Sequence, residues 1–347
     1  MNQKPSVTIM IATKDRHEDL ELTLRDLLRQ DYPNLEMMVI DDGSTPPIES
    51  LVKQYWPNAC VVRHNASCGQ CERRNEGFHQ SSGDYILHLD DDCSPRAANA
   101  ISLMVALMEK NPHWFSIAPY IWNGARFPSV LDTLTPPAGM TASFLGAATL
   151  LRSSVVHLLE GYRSFYVSYA EEEELCLQAL NKGYGTSFRP ELLFHHRYSP
   201  RNRNNGAAWK RALRNRMWTI LIHMPLSRIP MEIGWKLGFG AWDAFRLRRL
   251  KLYFEALWEF TAGLRMVLRL RQPLNRVALR RYDAMRSYGL LPYDLFEQPP
   301  ADRLKTFKRW AARWPKRLRD GSFFSKKRNL GQGEFATHEH ELHLGNR

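Results

Sequence analysis

The chain lacks an apolar run long enough to cross a bilayer. Its longest uncharged stretch, Thr133 to Leu151, is broken by Pro136, Pro137 and Gly139 and carries several hydroxyls, whereas a spanning helix needs roughly 20 mostly apolar residues. The short apolar run near the N-terminus meets Lys14, Asp15 and Arg16 at once, which is not the layout of a secretory leader. A cytoplasmic protein is expected. Cysteine is scarce: there are five, Cys60, Cys68, Cys71, Cys93 and Cys176, all within residues 1–196. An odd, scattered set excludes the disulfide framework of a small secreted domain. Cys68-Gly-Gln-Cys71 has no second Cys or His pair at zinc spacing, so it reads as two loop thiols. Acid is scarce in the second half. Residues 197–330 hold 31 Lys and Arg against 9 Asp and Glu, net +22, while residues 1–196 hold 16 against 24, net −8. The last 17 residues, 331–347, are net −2, and the whole chain of 347 is +12. That length suits one large α/β domain with an appendage.

Against these absences stands one stretch, Gly83-Asp-Tyr-Ile-Leu-His-Leu-Asp-Asp-Asp92-Cys-Ser-Pro95. Tyr85 to Leu89 reads as a buried strand. It runs directly into Asp90, Asp91 and Asp92. Like charges at a strand end repel, so a bound cation is the natural partner, and oxygen ligands suit Mg²⁺ or Mn²⁺. In open α/β sheets, ligands sit just beyond the carboxyl ends of the strands. Two further strands, Val7–Ala12 and Met37–Ile40, flank a helix carrying Leu20, Leu24, Leu27 and Leu28, with Asp15 and Glu18 at capping-box spacing. This β-α-β order predicts a parallel sheet. The second strand ends in Asp41-Asp42-Gly-Ser44, either a turn or a carboxylate pair able to read a base or ribose. A third strand is expected at Ala59–Arg63. The loop after it, Asn65 to Gly77, carries Arg73 and Arg74, and a guanidinium there could grip a diphosphate.

The segments Val7-Thr-Ile-Met-Ile-Ala-Thr13-Lys-Asp-Arg16, Val39-Ile-Asp-Asp-Gly-Ser44, Gly69…Arg74-Asn-Glu-Gly77 and Gly83…Asp92 resemble, in order, four motifs of the family 2 glycosyltransferases. The resemblance implies the GT-A fold, an α/β, Rossmann-like architecture with a mostly parallel central sheet flanked by helices. It implies a nucleotide-diphospho-sugar donor, with Thr13 and Asp42 or Asp41 near the base, Arg74 near the donor and Asp91 near the ribose. Asp90 and Asp92 become an Asp-x-Asp motif holding Mn²⁺ or Mg²⁺. Ala12 departs from the proline usual there. Ser143 to Thr149 resembles the family's small-residue segment on the acceptor side.

Further on, a helix is expected over 97–110, a strand over Trp114–Ala118 and a Pro-rich loop over Arg126–Met140. Glu171-Glu-Glu-Glu174 opens a helix that Gly183 stops. Acids at a helix N-terminus are favoured by the macrodipole, but four exceed what that requires. The family's Glu-Asp pair falls on Glu171-Glu172, so Glu172 stands where the family has its catalytic aspartate, one methylene longer, and the choice between Glu171 and Glu172 stays open. Of His195-His196, strand alternation selects His196 as metal or phosphate contact, since it shares a face with Phe194.

After Pro200 basic helices follow: Trp209–His223, whose Arg214-Asn215-x-x-Trp218 resembles bacterial rhamnosyltransferase-like relatives, then Arg246–Arg271, then Arg303–Arg319. The last sets Leu304, Phe307, Trp310, Trp314 and Leu318 against five Lys and Arg, the pattern of an interfacial membrane helix. The organisation expected is a catalytic domain over 1–200, a basic membrane-associating extension over 201–330 and a disordered tail over 331–347. The function expected is inverting, metal-dependent transfer of a sugar to a glycan or lipid-linked acceptor in cell-envelope or exopolysaccharide assembly, on the cytoplasmic face of the inner membrane. The donor base and sugar stay open. The rival readings are a non-catalytic sugar-nucleotide scaffold and a nucleic-acid binder using the basic half. No nucleic acid is expected, because the basic residues lie on helices with large apolar faces and no recognised motif is present.

Overall fold

A computed structural model describes residues 4–124, 136–199 and 205–297. The Pro-rich loop from 126 to 135, the basic stretch 201–204, the helix expected at 303–319 and the tail 331–347 lie outside the described residues.

The first half alternates as the apolar periodicity requires: β1 (Val7–Thr13), α1 (His17–Leu27), β2 (Leu35–Asp41), α2 (Glu49–Tyr55), β3 (Cys60–Arg63), α3 (Gln70–Gln80) and β4 (Tyr85–Asp90). A short β5 (Cys93–Pro95) follows the aspartates. Then come α4 (Ala100–Lys110), β6 (Trp114–Asn123), β7 (Gly139–Thr141), β8 (Ala148–Arg152), α5 (Ser153–Val156), α6 (Glu171–Asn181) and β9 (Gly185–His196). The sheet order is β3-β2-β1-β4-β8-β6-β9-β5, with β7 on β9. β3, β2, β1 and β4 are parallel, β8 is antiparallel to both its neighbours, and β6 and β9 are again parallel.

Alternation along the strands builds two core layers. Val7, Ile9 and Ile11 of β1 face Leu20, Leu24 and Leu27 of α1, while Met10, Ile40 and Ile86 face Phe78 of α3 and Leu175 of α6. Each such fully buried side chain contributes about 1.5–3 kcal/mol. Register does the rest: Thr13 pairs with Asp41 and Ala12 with Asp90, so the hydroxyl-bearing end of β1 is level with the acid-bearing ends of β2 and β4. β5 pairs back onto the end of β9, Cys93 opposite His196, which carries the aspartate turn to the histidines.

Six more helices follow: α7 (Asn205–His223), α8 (Ile229–Arg246), α9 (Leu250–Ala262), α10 (Leu264–Arg269), α11 (Arg276–Tyr288) and α12 (Tyr293–Glu297). They share both core layers with the sheet through Ile220, Tyr282 and Phe296 on one side and Trp218 and Val267 on the other. Among the described residues, no helix is long and apolar enough to cross a membrane.

Two expectations are corrected. The capping box is not formed: α1 begins at His17 with no side-chain cap. Asp15 adopts a left-handed conformation and ties two loops together, its N–H donating to Ser44 Oγ (3.0 Å) and its Oδ1 accepting from Thr45 N–H (2.7 Å). The single helix expected over 246–271 is three pieces. The chain turns at Arg248, where φ is +55°, and breaks at Gly263, where a Cβ would meet Trp218 Cζ2 at 2.5 Å.

Candidate active site

Three carboxylates at one strand end demand positive charge, and the fold supplies it from three directions. Arg16 comes from the loop after β1: its Nη1 meets Asp91 Oδ1, its Nη2 donates to Asp92 Oδ2 (2.8 Å) and to the Ser199 carbonyl (3.2 Å). Arg74 rises from α3, and its Nη2 donates to Asp90 Oδ1 (2.8 Å) and to the Gly146 carbonyl (3.1 Å). His196, at the end of β9, places Nε2 2.9 Å from Asp92 Oδ1. Burial pushes the Asp91 carboxyl up to about 7 even against the pull of Arg16. Burial would raise Asp92 as well, but its hydrogen bond to His196 and the charge of Arg16 outweigh that and hold it well below the usual range. Thr13 Oγ1 donates to Asp91 Oδ2 (2.6 Å), so the strand-end hydroxyl and the middle aspartate form one unit.

One ligand atom each from Asp90, Asp92 and His196 lies within 4.8 Å of the others. The donor set, two carboxylate oxygens and an imidazole nitrogen, fits a divalent cation of the Mn²⁺ or Mg²⁺ type. The ring orientation fits too. His196 Nδ1 faces Asn123 Oδ1 at 2.7 Å, a contact that orients the ring and turns Nε2 to the carboxylates. His195 points elsewhere, with its Nε2 2.8 Å from the Gly124 carbonyl.

The second acid cluster separates into four different environments. Glu171 is buried, with Oε1 3.4 Å from Arg74 Nη1. Glu172 Oε1 lies 3.8 Å from the same nitrogen, and its side chain keeps 17% of its surface exposed. Glu173 accepts from the Tyr282 hydroxyl (2.9 Å). Glu174 is fully buried among His223, Arg163 and Gln178, at 2.8, 3.1 and 2.7 Å, and these partners hold its carboxyl below the usual range against the effect of burial. The loop feeding this helix is strained: Val167, Tyr169 and Ala170 all have positive φ, each costing about 1–3 kcal/mol. Asn215 of α7 holds it in place by donating to the carbonyls of Tyr166, Ser168 and Tyr169 at 3.1, 3.0 and 2.7 Å. Gly146 completes the geometry, since a Cβ there would lie 2.2 Å from Glu172 Oε1.

Residues 8–150 match the family model described as glycosyl transferase family 2. This stretch is a family 2 glycosyltransferase domain. The match ends inside β8, so Glu171, Glu172 and His196 lie beyond it. Among curated relatives, EpsE of Bacillus subtilis, whose name assigns it to the glycosyltransferases, is 25% identical over 53% of this chain and 70% of its own length. The GalNAc(5)-diNAcBac-PP-undecaprenol beta-1,3-glucosyltransferase of Campylobacter jejuni is 27% identical over 32% of this chain and 37% of that one. The match thus spans little more than a third of the second relative. Among solved structures, the first 349 residues of S. aureus TarS in complex with UDP-GlcNAc align with a TM-score of 0.57 at 16% identity, covering 77% of this chain and 84% of that one. The mannosyltransferase PcManGT of Pyrobaculum calidifontis, in complex with GDP-Man and Mn²⁺, aligns with a TM-score of 0.53 at 16% identity, covering 76% of each. These two share the α/β fold of the glycosyltransferase domain.

Within that domain the expected donor residues are placed as follows. Asp41 is buried and accepts from Arg63 Nη1 (2.6 Å) and Ser44 N–H (2.7 Å). Asp42 accepts from Ser67 Oγ (2.5 Å), Cys68 N–H (3.1 Å) and Arg73 Nε (2.7 Å). Both therefore brace the loops at this end of the sheet edge. Arg74 is 2% exposed, with its guanidinium 2.8 Å from Asp90 and 3.4 Å from Glu171. Arg16 and Asn123 were given no role by the sequence, while Gly146 was met only as part of the Ser143–Thr149 segment and Asn215 only as part of the Arg214-Asn215-x-x-Trp218 motif.

Proposed function

We propose that this chain is an inverting glycosyltransferase that moves a sugar from a nucleotide-diphosphate donor to a hydroxyl of a glycan or lipid-linked acceptor at a membrane surface. The observation that carries the proposal is the convergence, on one sheet edge, of the Asp90–Asp92–His196 cluster with Glu171 and Glu172 across Arg74. Glu172 is the better placed base, being partly open while Glu171 is buried. Its carboxylate takes the acceptor proton as the acceptor oxygen bonds to the anomeric carbon. The bond from that carbon to the diphosphate oxygen breaks on the opposite side, and its electron pair leaves with the diphosphate. Arg74 faces Asp90, Glu171 and Glu172 and ties the two acid clusters together. Arg16 holds Asp91 and Asp92 in place beside the leaving group. A divalent cation bound by Asp90, Asp92 and His196 would neutralise charge on the departing diphosphate.

Thermal stability with UDP, dTDP, GDP and CDP, each with and without Mn²⁺, tests this in wild type and Asp92→Asn. A ligand bound only to the folded state at 100 times its Kd adds about 2.7 kcal/mol. One nucleotide should raise the melting temperature in a Mn²⁺-dependent way, and the variant should lose that shift. A flat response to all four would remove the donor site and with it the transferase.

A further inference from the structure

The helical layer has a surface that the transfer reaction does not use. Its inner side is turned to α7 and α11: α8 buries Glu232, Gly240, Asp243 and Ala244, with Gly240 against Leu213 of α7 and Glu232 facing Arg286 of α11, and α9 buries Tyr253 and Ala256. The opposite side of α8 carries Trp235, Trp242 and Phe245, and that of α9 carries Phe254 and Trp258, at helical spacing. These five side chains are from 54% to 74% exposed. So much aromatic surface on two adjacent helices is not incidental.

The charges are sorted by side as well. Every acid of α8 and α9 is matched with an inner partner. Asp243 accepts from Trp209 Nε1 (2.7 Å) and Glu232 from Arg286 (2.8 Å). Glu255 pairs with Lys210 (3.2 Å), and Glu259 with Lys210 (2.7 Å) and Arg214 (2.6 Å). Arg248 and Lys251, with Arg265 and Arg269 just beyond, are exposed. A helix pair meant only to meet water would show acids outward. This one shows aromatic rings bordered by basic residues, which complements an anionic headgroup layer over an apolar interior.

We propose that the outward faces of α8 and α9 dock on an anionic lipid bilayer. This deepens the reading of a lipid-linked acceptor and rests on it. Position links the two regions: α7, beneath both helices, is the element whose Asn215 holds the loop leading into Glu171 and Glu172, so the docking face and the site rest on one supporting helix.

The test is sedimentation of the full chain with phosphatidylcholine vesicles, with and without phosphatidylglycerol, at low and high salt. Wild type should bind the anionic vesicles and release as salt rises. The Trp235→Ser/Phe254→Ser/Trp258→Ser variant should partition about 100-fold less. The Arg248→Gln/Lys251→Gln/Arg265→Gln variant should lose its preference for the anionic lipid. A triple aromatic variant that binds like wild type would overturn the assignment and move docking to another segment, such as 303–319. Absence of wild-type binding would overturn it too. In that event, concentration-dependent dimerisation abolished by the aromatic variant would assign the face to a second copy, and a loss of thermal stability in that variant would assign it to residues 298–347. The nucleotide-induced shift in melting temperature, measured on the same samples, separates the two readings. Its absence in wild type sinks the transferase, while the vesicle result still decides the surface.

Discussion

At the sheet edge, acids lie inward and cations are drawn in to meet them. Arg16 and Arg74 leave solvent to sit among Asp90, Asp91, Asp92 and Glu171. In the α8–α9 layer the arrangement is inverted: acids turn inward onto α7, and the outward face keeps basic and aromatic residues. The difference tracks what each region is placed to meet. Concentrated buried acid is stable only with cations nearby, and a further divalent cation suits it. An outward basic and apolar face wants an anionic, partly apolar partner. A seam between them lies where Glu174 of α6 meets His223 of α7 in a fully buried pair.

The comparison breaks most sharply at Glu172. If the edge is a reaction centre, Glu172→Gln removes the base and lowers turnover about 10²–10⁴-fold while leaving the Mn²⁺-dependent nucleotide shift intact. Glu171→Gln should instead lower thermal stability, because it leaves Arg74 short of a buried partner. Steady-state rates and melting curves on both variants read this directly. Undiminished turnover in Glu172→Gln would move the base elsewhere.

Arg16→Ala sharpens the comparison next. Removing one partner of a buried ion pair costs about 3–5 kcal/mol, and here two carboxylates lose it. If the edge is built for cations, Mn²⁺ should restore much of that loss, so that the metal stabilises the variant more than it stabilises wild type. Calorimetry with and without Mn²⁺ decides it, and an equal metal response in the two proteins would mean that Arg16 and the metal do not share the same carboxylates.

How far this was readable without coordinates follows from range. Apolar strands ending in acid are local patterns, so β1, β2 and β4 and the level edge at Asp41 and Asp90 were legible, as was the helix opening at Glu171. The antiparallel β8 was met as a small-residue segment or a tightly packed strand, without its direction, since five residues of strand carry no sign of it. Arg16 was missed because Asp15 and Glu18 looked like a cap, and only the left-handed turn at Asp15 directs the next residue inward. Asn123 and Asn215 act across 73 and up to 49 residues of sequence, where spacing gives no signal. The break at Gly263 was hidden by an apolar pattern that continues through it, and the close approach that requires glycine there comes from a tryptophan of another helix.

The smallest effect lies at Lys236, on α8 close to the seam. Burial, reinforced by Arg216, lowers its ammonium to about 8 from an ordinary 10.5, with Glu173 opposing. The sign follows from proton counts: between about pH 8 and 10.5 the unfolded chain holds a proton that the folded one has released, so stability rises with pH across that window. Below it both states are charged and the full penalty applies. Lys236→Met should therefore be more stable than wild type at pH 7, by about 1 kcal/mol, and should flatten the rise above pH 8. Urea midpoints for both proteins from pH 7 to about 9.5, short of the range where tyrosines ionise, provide the measurement. A variant less stable at pH 7 would show that Lys236 is held as a cation by Glu173, and the boundary between the inward-acid and outward-base regions would then be an ion pair rather than a repulsion.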